Sequence, residues 1–381
     1  MNQTELALCQ LIKASLFHLP ASFGDDLDWN AVLKEAQAQT IVSLVVPAVP
    51  EEQAQAWQIP VYQSKAHFMR ALYEQTKLVE LLSGANIPFV ILKGTAAAVY
   101  YPDPSARTMG DIDFLVPEEF FDAAFSLLKQ NEYQFEEDYG DGRDYTFSKD
   151  KVLFELHRKY SDEGRNIEPC LQNGIRNAEM LTVYSNAFPA LPKAENGLVL
   201  LDHIRHHLLG GLGLRQILDF MMFICSEPDE TRFASEYLPL YEQAGLGTLA
   251  KVIAKMCKQY FGMPAKAAWC EAADDKTCAE LLETVFTSGN FCRKTPYEYR
   301  PMENFTMEVK KNGFFKTLQR AGVANCKAFQ KHKWLRPFAW LYQLFRYLGR
   351  GIAALFRKEK LAQDISSGKE KADFYKRLGI G

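Results

Sequence analysis

What this chain lacks narrows it first. Its eight cysteines (Cys9, Cys170, Cys225, Cys257, Cys270, Cys278, Cys292 and Cys326) form no Cys-x-x-Cys pair and share no regular spacing. That argues against a zinc site or a disulfide framework, and for free thiols in a reducing cytoplasm. No apolar run of about 18 residues occurs, so no membrane-spanning helix is expected. The opening Met1-Asn2-Gln3-Thr4-Glu5 has neither a basic n-region nor a cleavage site, which argues against a signal peptide. No internal repeat is visible. His203 and His207 stand one helical turn apart, yet Ile204 and Arg205, not a glutamate, follow the first of them. The zinc-protease pattern is therefore missing, and His203, His206 and His207 are expected to line a cleft between domains. Gly210-Gly211-Leu212-Gly213 follows no strand, so it reads as a helix break and not as a dinucleotide-binding turn.

What is present is a globular composition: 381 residues, 48% apolar and 24% charged, enough for two or three domains and a substantial core. The net charge of −3 hides a polarity. From Lys310 to the end there are 17 basic and 4 acidic residues, a balance of +13, against −16 for the rest. The two parts are expected to differ in their partners or to attract each other.

The chemistry concentrates between Ile87 and Glu155. Three short apolar runs there each carry polar residues: Phe89–Leu92 ending in Lys93-Gly94-Thr95, then Gly110-Asp111-Ile112-Asp113-Phe114, then Val152–His157 with Glu155 and His157. In a strand, residues i and i+2 share a side, so Asp111 and Asp113 are expected to converge while Ile112 and Phe114 face a core. Two carboxylates side by side are unfavourable unless a cation lies between them. Mg²⁺ is a hard ion held by one or two carboxylates plus substrate phosphates. Glu155, 42 positions beyond Asp113, supplies a third carboxylate, for a second ion or as a base. Gly94-Thr95 lies between a strand and the helical run Ala96–Tyr100, an arrangement suited to phosphate. Arg107, four residues before Asp111, reads either as a bidentate phosphate donor or as one half of a salt bridge. His157 shares a strand face with Glu155 and either contacts substrate or orients Glu155.

Leu92-Lys93-Gly94, Tyr101-Pro102, Arg107, Gly110-Asp111-Ile112-Asp113 and Glu155-Leu156-His157 together resemble a bacterial family labelled uncharacterised nucleotidyltransferase, within the DNA polymerase beta-type nucleotidyltransferase superfamily. The resemblance spans roughly residues 28–225 and includes the histidine pair followed by Arg215 and Asp219. It departs from the wider superfamily at the glycine turn, where Lys93 precedes the glycine and Thr95 follows it. The resemblance implies that Asp111, Asp113 and Glu155 hold Mg²⁺, as one ion or two. It also implies that Gly94 and Thr95 cradle the phosphates of an NTP, helped by Lys93 as a point charge.

Outside this stretch the reading is coarser. Residues 1–19 are helical, Asp28 caps a helix running toward Val46, and Tyr62–Leu82 is the longest early helix, with Phe68, Leu72, Leu78, Val79 and Leu82 on its apolar face. Pro47, Pro50 and Pro60 punctuate the connection between them. Tyr145–Ser148 and Val152–His157 form a hairpin about Lys149-Asp150. Residues 160–195 read as an irregular connection, and helices follow over 197–225, 231–262 and 274–288. Near the C-terminus, Trp334, Phe338, Leu341, Phe345, Leu348, Ile352 and Leu355 define one helical stripe, with Arg336, Arg346, Arg350 and Arg357 opposite and Trp340 and Tyr347 near them. Such a helix either packs on the helical domain, lies on an anionic membrane surface, or meets nucleic acid.

The expected fold is α+β: N-terminal helices over residues 1–85, a short mixed nucleotidyltransferase-type sheet over 86–160, a helical domain over 161–305 and a basic amphipathic region over 306–381. The expected reaction moves a nucleoside monophosphate from an NTP to a hydroxyl or phosphate on a small molecule, a protein or an RNA end. The rival reading is a nucleotide-binding or scaffold module that keeps the fold without turnover. The expected location is the cytoplasm, with peripheral contact at the inner membrane face through residues 334–360 as the alternative. Oligomeric state is not legible.

Overall fold

The structure, a computed structural model, describes residues 1–138, 143–161, 167–264, 267–290, 293–294, 306, 308–310, 313–326, 328–329, 332–354 and 358–380. It divides into two compact units, Met1–Pro296 and Tyr297–Gly381.

The first unit opens with helices α1 (Gln3–Phe17) and α2 (Trp29–Ala38). Asp28 caps α2 by accepting the amides of Asn30 and Ala31. The helix does not continue toward Val46. It stops at Ala38, Thr40 takes a positive φ, and a single turn, α3 (Val42–Val45), follows. The buried Gln39 side chain, which bonds Glu35, the Val285 carbonyl and the Leu214 amide, marks that break. Helix α4 (Gln58–Gly84) is longer than its periodicity indicated, because Pro60 sits in the first turn, where a missing N–H leaves nothing unsatisfied. Its Phe68, Leu72, Leu78 and Leu82 are buried, with Val79 partly so.

A seven-stranded mixed sheet organises the unit, in the order β3-β4-β5-β2-β1-β7-β6. The elements are β1 (Val90–Leu92), α5 (Gly94–Ala98), β2 (Ile112–Leu115), α6 (Phe121–Gln130), β3 (Gln134–Asp138), β4 (Asp144–Lys149), β5 (Val152–His157), α7 (Glu168–Arg176), β6 (Glu179–Val183) and β7 (Asn186–Ala190). Helices α8 (Lys193–Gly210) and α9 (Leu214–Cys225) follow. The fold is α+β.

Alternation along β2 is as the apolar pattern requires. Ile112 and Phe114 join a core with Phe154 and with Phe68, Leu72 and Leu78 of α4, while Asp113 is left for the opposite face. The β4–β5 hairpin turns at Asp150 and Lys151, both with positive φ, one residue later than the sequence indicated. Such a two-residue turn matches the twist of its strands. Residues 160–195 are not an irregular connection: they contain α7 and the β6–β7 hairpin, which joins the sheet where Ala190 pairs with Ile91. Only Val183 of edge strand β6 is buried, so the strand has no readable apolar alternation.

In the second unit, helix Ala339–Ala354 packs on helix Phe314–Ala324 through Ala339, Gln343 and Leu318. A Cβ at Gly322 would collide with the Ala339 carbonyl, so glycine is what permits this approach. Trp334, Phe338 and Phe345 are exposed. Leu355 and Arg357, and the side chains of Tyr347, Leu348, Arg350 and Ile352, lie outside the described residues. No described helix is long and apolar enough to cross a membrane.

Candidate active site

Strand pairing assembles the first half of the site. β2 runs parallel to β5 with Asp113 opposite Glu155, and antiparallel to β1 with Asp113 opposite Leu92. Asp113 therefore has a carboxylate on one side and, one residue past Leu92, an ammonium on the other. Lys93 adopts φ 47°, ψ −130°, and Gly94 after it has φ 33°. Positive φ is costly for a lysine, and such strain persists only where surrounding structure enforces it. Here the chain turns back so that Lys93 Nζ lies 2.6 Å from Asp113 Oδ1. His157 Nε2 lies 3.0 Å from the same oxygen and 3.6 Å from Glu155 Oε2. The shared face of Glu155 and His157 follows from the two-residue period of β5.

The electrostatics follow from this crowding. Burial works against the charge on Asp113, but Lys93 and His157 outweigh it and hold the carboxyl below its ordinary range. Glu155 goes the other way: burial, then the neighbouring Asp113 and Asp111, push its pKa well up. Without a cation the pair therefore keeps a proton on Glu155. Burial also opposes the Lys93 charge, yet Asp113, Tyr160, Glu155 and Asp111 raise its pKa.

Asp113, Glu155 and His157 each offer a ligand atom, all within 4.8 Å of one another. Two carboxylates and an imidazole, with a proton retained where a cation would remove the repulsion, fit a divalent metal ion. Asp111 is not part of this cluster. It precedes Ile112, the first paired residue of β2, so sheet alternation does not fix its direction. It lies close enough for its charge to act on Lys93 and Glu155.

The remaining expected residues are distributed differently. Thr95 is fully buried, and its hydroxyl donates to Gln75 Oε1 at 2.7 Å, so that hydroxyl is committed to the core. Gly94 holds the turn, and a Cβ there would press on Met109. Arg107 donates from Nε to Asp219 Oδ1 and from Nη2 to Asp219 Oδ2, each at 2.8 Å, in a fully buried bidentate pair. Of its two readings, the geometry is that of the salt bridge.

Helices α8 and α9 form the second half. Asn196 of α8 donates to the Ala96 carbonyl, and Tyr160, whose ring lies 5.5 Å from Lys93 Nζ, donates to the Val199 carbonyl. His203 and His207 pack ring to ring at 4.4 Å. Burial, then the neighbouring positive charges, keep both neutral, with His207 lowered to about 3. On α9, Asp219 also accepts from Tyr101 Oη at 2.8 Å. Arg215 donates from Nη1 to the Thr108 carbonyl at 3.1 Å. The role of Tyr160 went unread in the sequence. The weight of Arg215 and Asp219 had a signal of its own, a charged i, i+4 pair inside an otherwise almost wholly apolar helix.

Across two parallel strands of the mixed sheet, walled by helices, lies an Asp–Glu–His cluster that could hold a metal ion. The chain belongs to the family described as uncharacterised nucleotidyltransferase, whose model matches residues 25–262. A search of curated proteins found no match.

Proposed function

We propose that the protein moves a nucleoside monophosphate from an NTP to a hydroxyl or phosphate acceptor, with release of pyrophosphate. The observation that carries this reading is the Asp113–Glu155 pair on adjacent parallel strands, with His157 against both. A divalent ion, Mg²⁺ in this proposal, would be held by Asp113 and Glu155 with Asp111 beside them, and would supply neutralisation of phosphate charge. His157 orients the two strand carboxylates through its contacts at 3.0 and 3.6 Å. Lys93, freed from Asp113 when a metal takes up that carboxylate, is a point charge for a phosphate oxygen. Glu155, protonated in the metal-free protein, gives up that proton when the site is filled. Tyr160 and α8 cover Lys93 and limit water. Phosphoryl chemistry of this kind needs mainly positioning and charge neutralisation.

One observation favours a second reading. Lys93 already neutralises Asp113, as an internal cation would in a nucleotide-binding module without turnover. Labelled NTPs incubated with Mg²⁺ and cell extract separate the two. Label transferred to any acceptor supports the transferase. NTP-dependent thermal stabilisation with no transfer from any of the four NTPs supports the binding module.

A further inference from the structure

The arginine expected to meet phosphate is tied to Asp219. A different arginine is left over. Arg107, Arg215 and Asp219 are all at least nine-tenths buried, at 5%, 8% and 1% exposure. Two guanidiniums thus share one carboxylate, and Asp219 gives both its oxygens to Arg107. Among the described residues Arg215 has no carboxylate within 4 Å, and its buried Nε has no hydrogen-bond partner. Among the described residues its one hydrogen bond goes to the Thr108 carbonyl, and its Nη1 lies 3.7 Å from where a Cβ would stand on Gly110, the residue next to Asp111. A buried cation without a counter-charge is costly unless an anion completes it. Burial, then the Arg107 charge, depress its pKa against the opposing pull of Asp219 and Asp111. Neutral His203 and His207 do not compete with it for an anion.

We infer that Arg215 binds the terminal phosphates of the nucleotide and the pyrophosphate released from them, with its guanidinium beside Gly110 as the anion contact. This rests on the transferase reading for its place in a reaction, but the anion site itself does not. The test is calorimetric titration of the full chain with inorganic pyrophosphate, with Mg²⁺ and with EDTA, using wild type, Arg215→Lys and Arg215→Met. Thermal unfolding of the ligand-free proteins runs alongside. Pyrophosphate should bind wild type, about tenfold or more weaker in Arg215→Met, with partial rescue in Arg215→Lys. The ligand-free melting temperature of Arg215→Met should equal or exceed wild type, because the variant removes a buried charge that has no ion-pair partner of its own and an unpaired Nε. No pyrophosphate binding to wild type, equal binding in Arg215→Met, or a large drop in its melting temperature would each overturn the inference. Pyrophosphate binding that depends on Arg215 without any transfer of label leaves the anion site standing and removes the transferase reading. Transfer with Arg215-independent binding does the reverse.

A second observation stands apart from that site. Between Lys310 and Ala354 the chain carries ten basic residues and no acidic one. In the same segment Trp334, Phe338 and Phe345 are 73%, 57% and 68% exposed. Phe338, Tyr342 and Phe345 follow a helical i, i+4, i+7 pattern, away from the Ala339–Gln343 face packed on the neighbouring helix. Exposed rings within a wholly basic segment complement an anionic lipid surface, where rings insert and cations meet headgroups. We propose that this face rests on an anionic bilayer. The full chain should sediment with phosphatidylserine-containing vesicles at low salt, less at moderate salt, and not with neutral vesicles. The variant Trp334→Ser/Phe338→Ser/Phe345→Ser should lose most of that binding while remaining folded. Wild type left in the supernatant, undiminished sedimentation of the variant, unfolding of the variant, or preference for RNA over vesicles would overturn the proposal.

Discussion

The two walls of the active site are opposites. The strand wall gathers carboxylates around a buried position and balances them imperfectly with Lys93 and a retained proton. The helical wall gathers guanidiniums and balances them imperfectly with Asp219. One side is short of a cation and the other of an anion. A metal–polyphosphate, the ligand proposed above, would supply both at once.

The sharpest way to break the strand wall is Asp113→Asn or Asp111→Asn. Transfer should fall by about 10³-fold or more in either, read by labelled-NTP turnover. The stabilities should diverge. Asp111→Asn should melt near wild type, whereas Asp113→Asn leaves Lys93 buried without its partner and should lose about 3–5 kcal/mol. Unreduced turnover in either variant removes that aspartate from the site. On the helical wall, Asp219→Ala leaves the buried Arg107 without its bidentate partner and Tyr101 without its acceptor. A loss of about 3–5 kcal/mol in denaturant unfolding is expected, with activity lost as a consequence of the displaced α9. A loss under 1 kcal/mol would show that water reaches the pair.

Glu155→Gln is a subtler probe. Because Glu155 is protonated in the metal-free protein, the neutral isostere should leave metal-free stability within about 1 kcal/mol of wild type while lowering turnover more than NTP affinity. Glu155 has a raised folded pKa, so the folded protein binds more protons than the unfolded chain once the pH exceeds the ordinary carboxylate value. Its contribution to metal-free stability is thus present below that value and declines as pH rises toward the folded pKa. Thermal protection by Mg²⁺ should therefore grow with pH, and should not do so in Glu155→Gln. An effect confined to acid pH belongs to His207 on the helical wall. Its folded pKa of about 3 lies below the unfolded value, so stability is lost as pH falls from about 6.5 toward 3. His207→Gln should make acid unfolding shallower by about one proton, and an unchanged slope would mean that His207 is not held neutral.

Much of the strand wall was legible from the sequence because it depends on local period. Glu155 and His157 share a face by alternation, and Ile112 and Phe114 are buried beside Asp113 for the same reason. The helical wall was less legible because its partners are distant: Asp219 lies 112 positions from Arg107. Nothing near Arg107 in sequence shows that its carboxylate arrives from α9. Thr95 is similar, since the residue that takes up its hydroxyl, Gln75, sits mid-helix in α4 and reads as a surface side chain until the packing is known. Asp111 shows the limit of the period rule. Alternation applies only where strand pairing holds, and pairing begins one residue later.

That one-residue difference has a mechanical side. Asp113 is bolted to the sheet by neighbours on both flanks. Asp111 ends a segment, Tyr101–Asp111, that hangs from α9 at three points: Tyr101 and Arg107 through Asp219, and Thr108 through Arg215. Two aspartates separated by a single isoleucine are therefore carried on different mounts. Asp111 follows a segment tied to α9 and, through Ser64 and Lys65, to α4, whereas Asp113 is carried by the sheet itself.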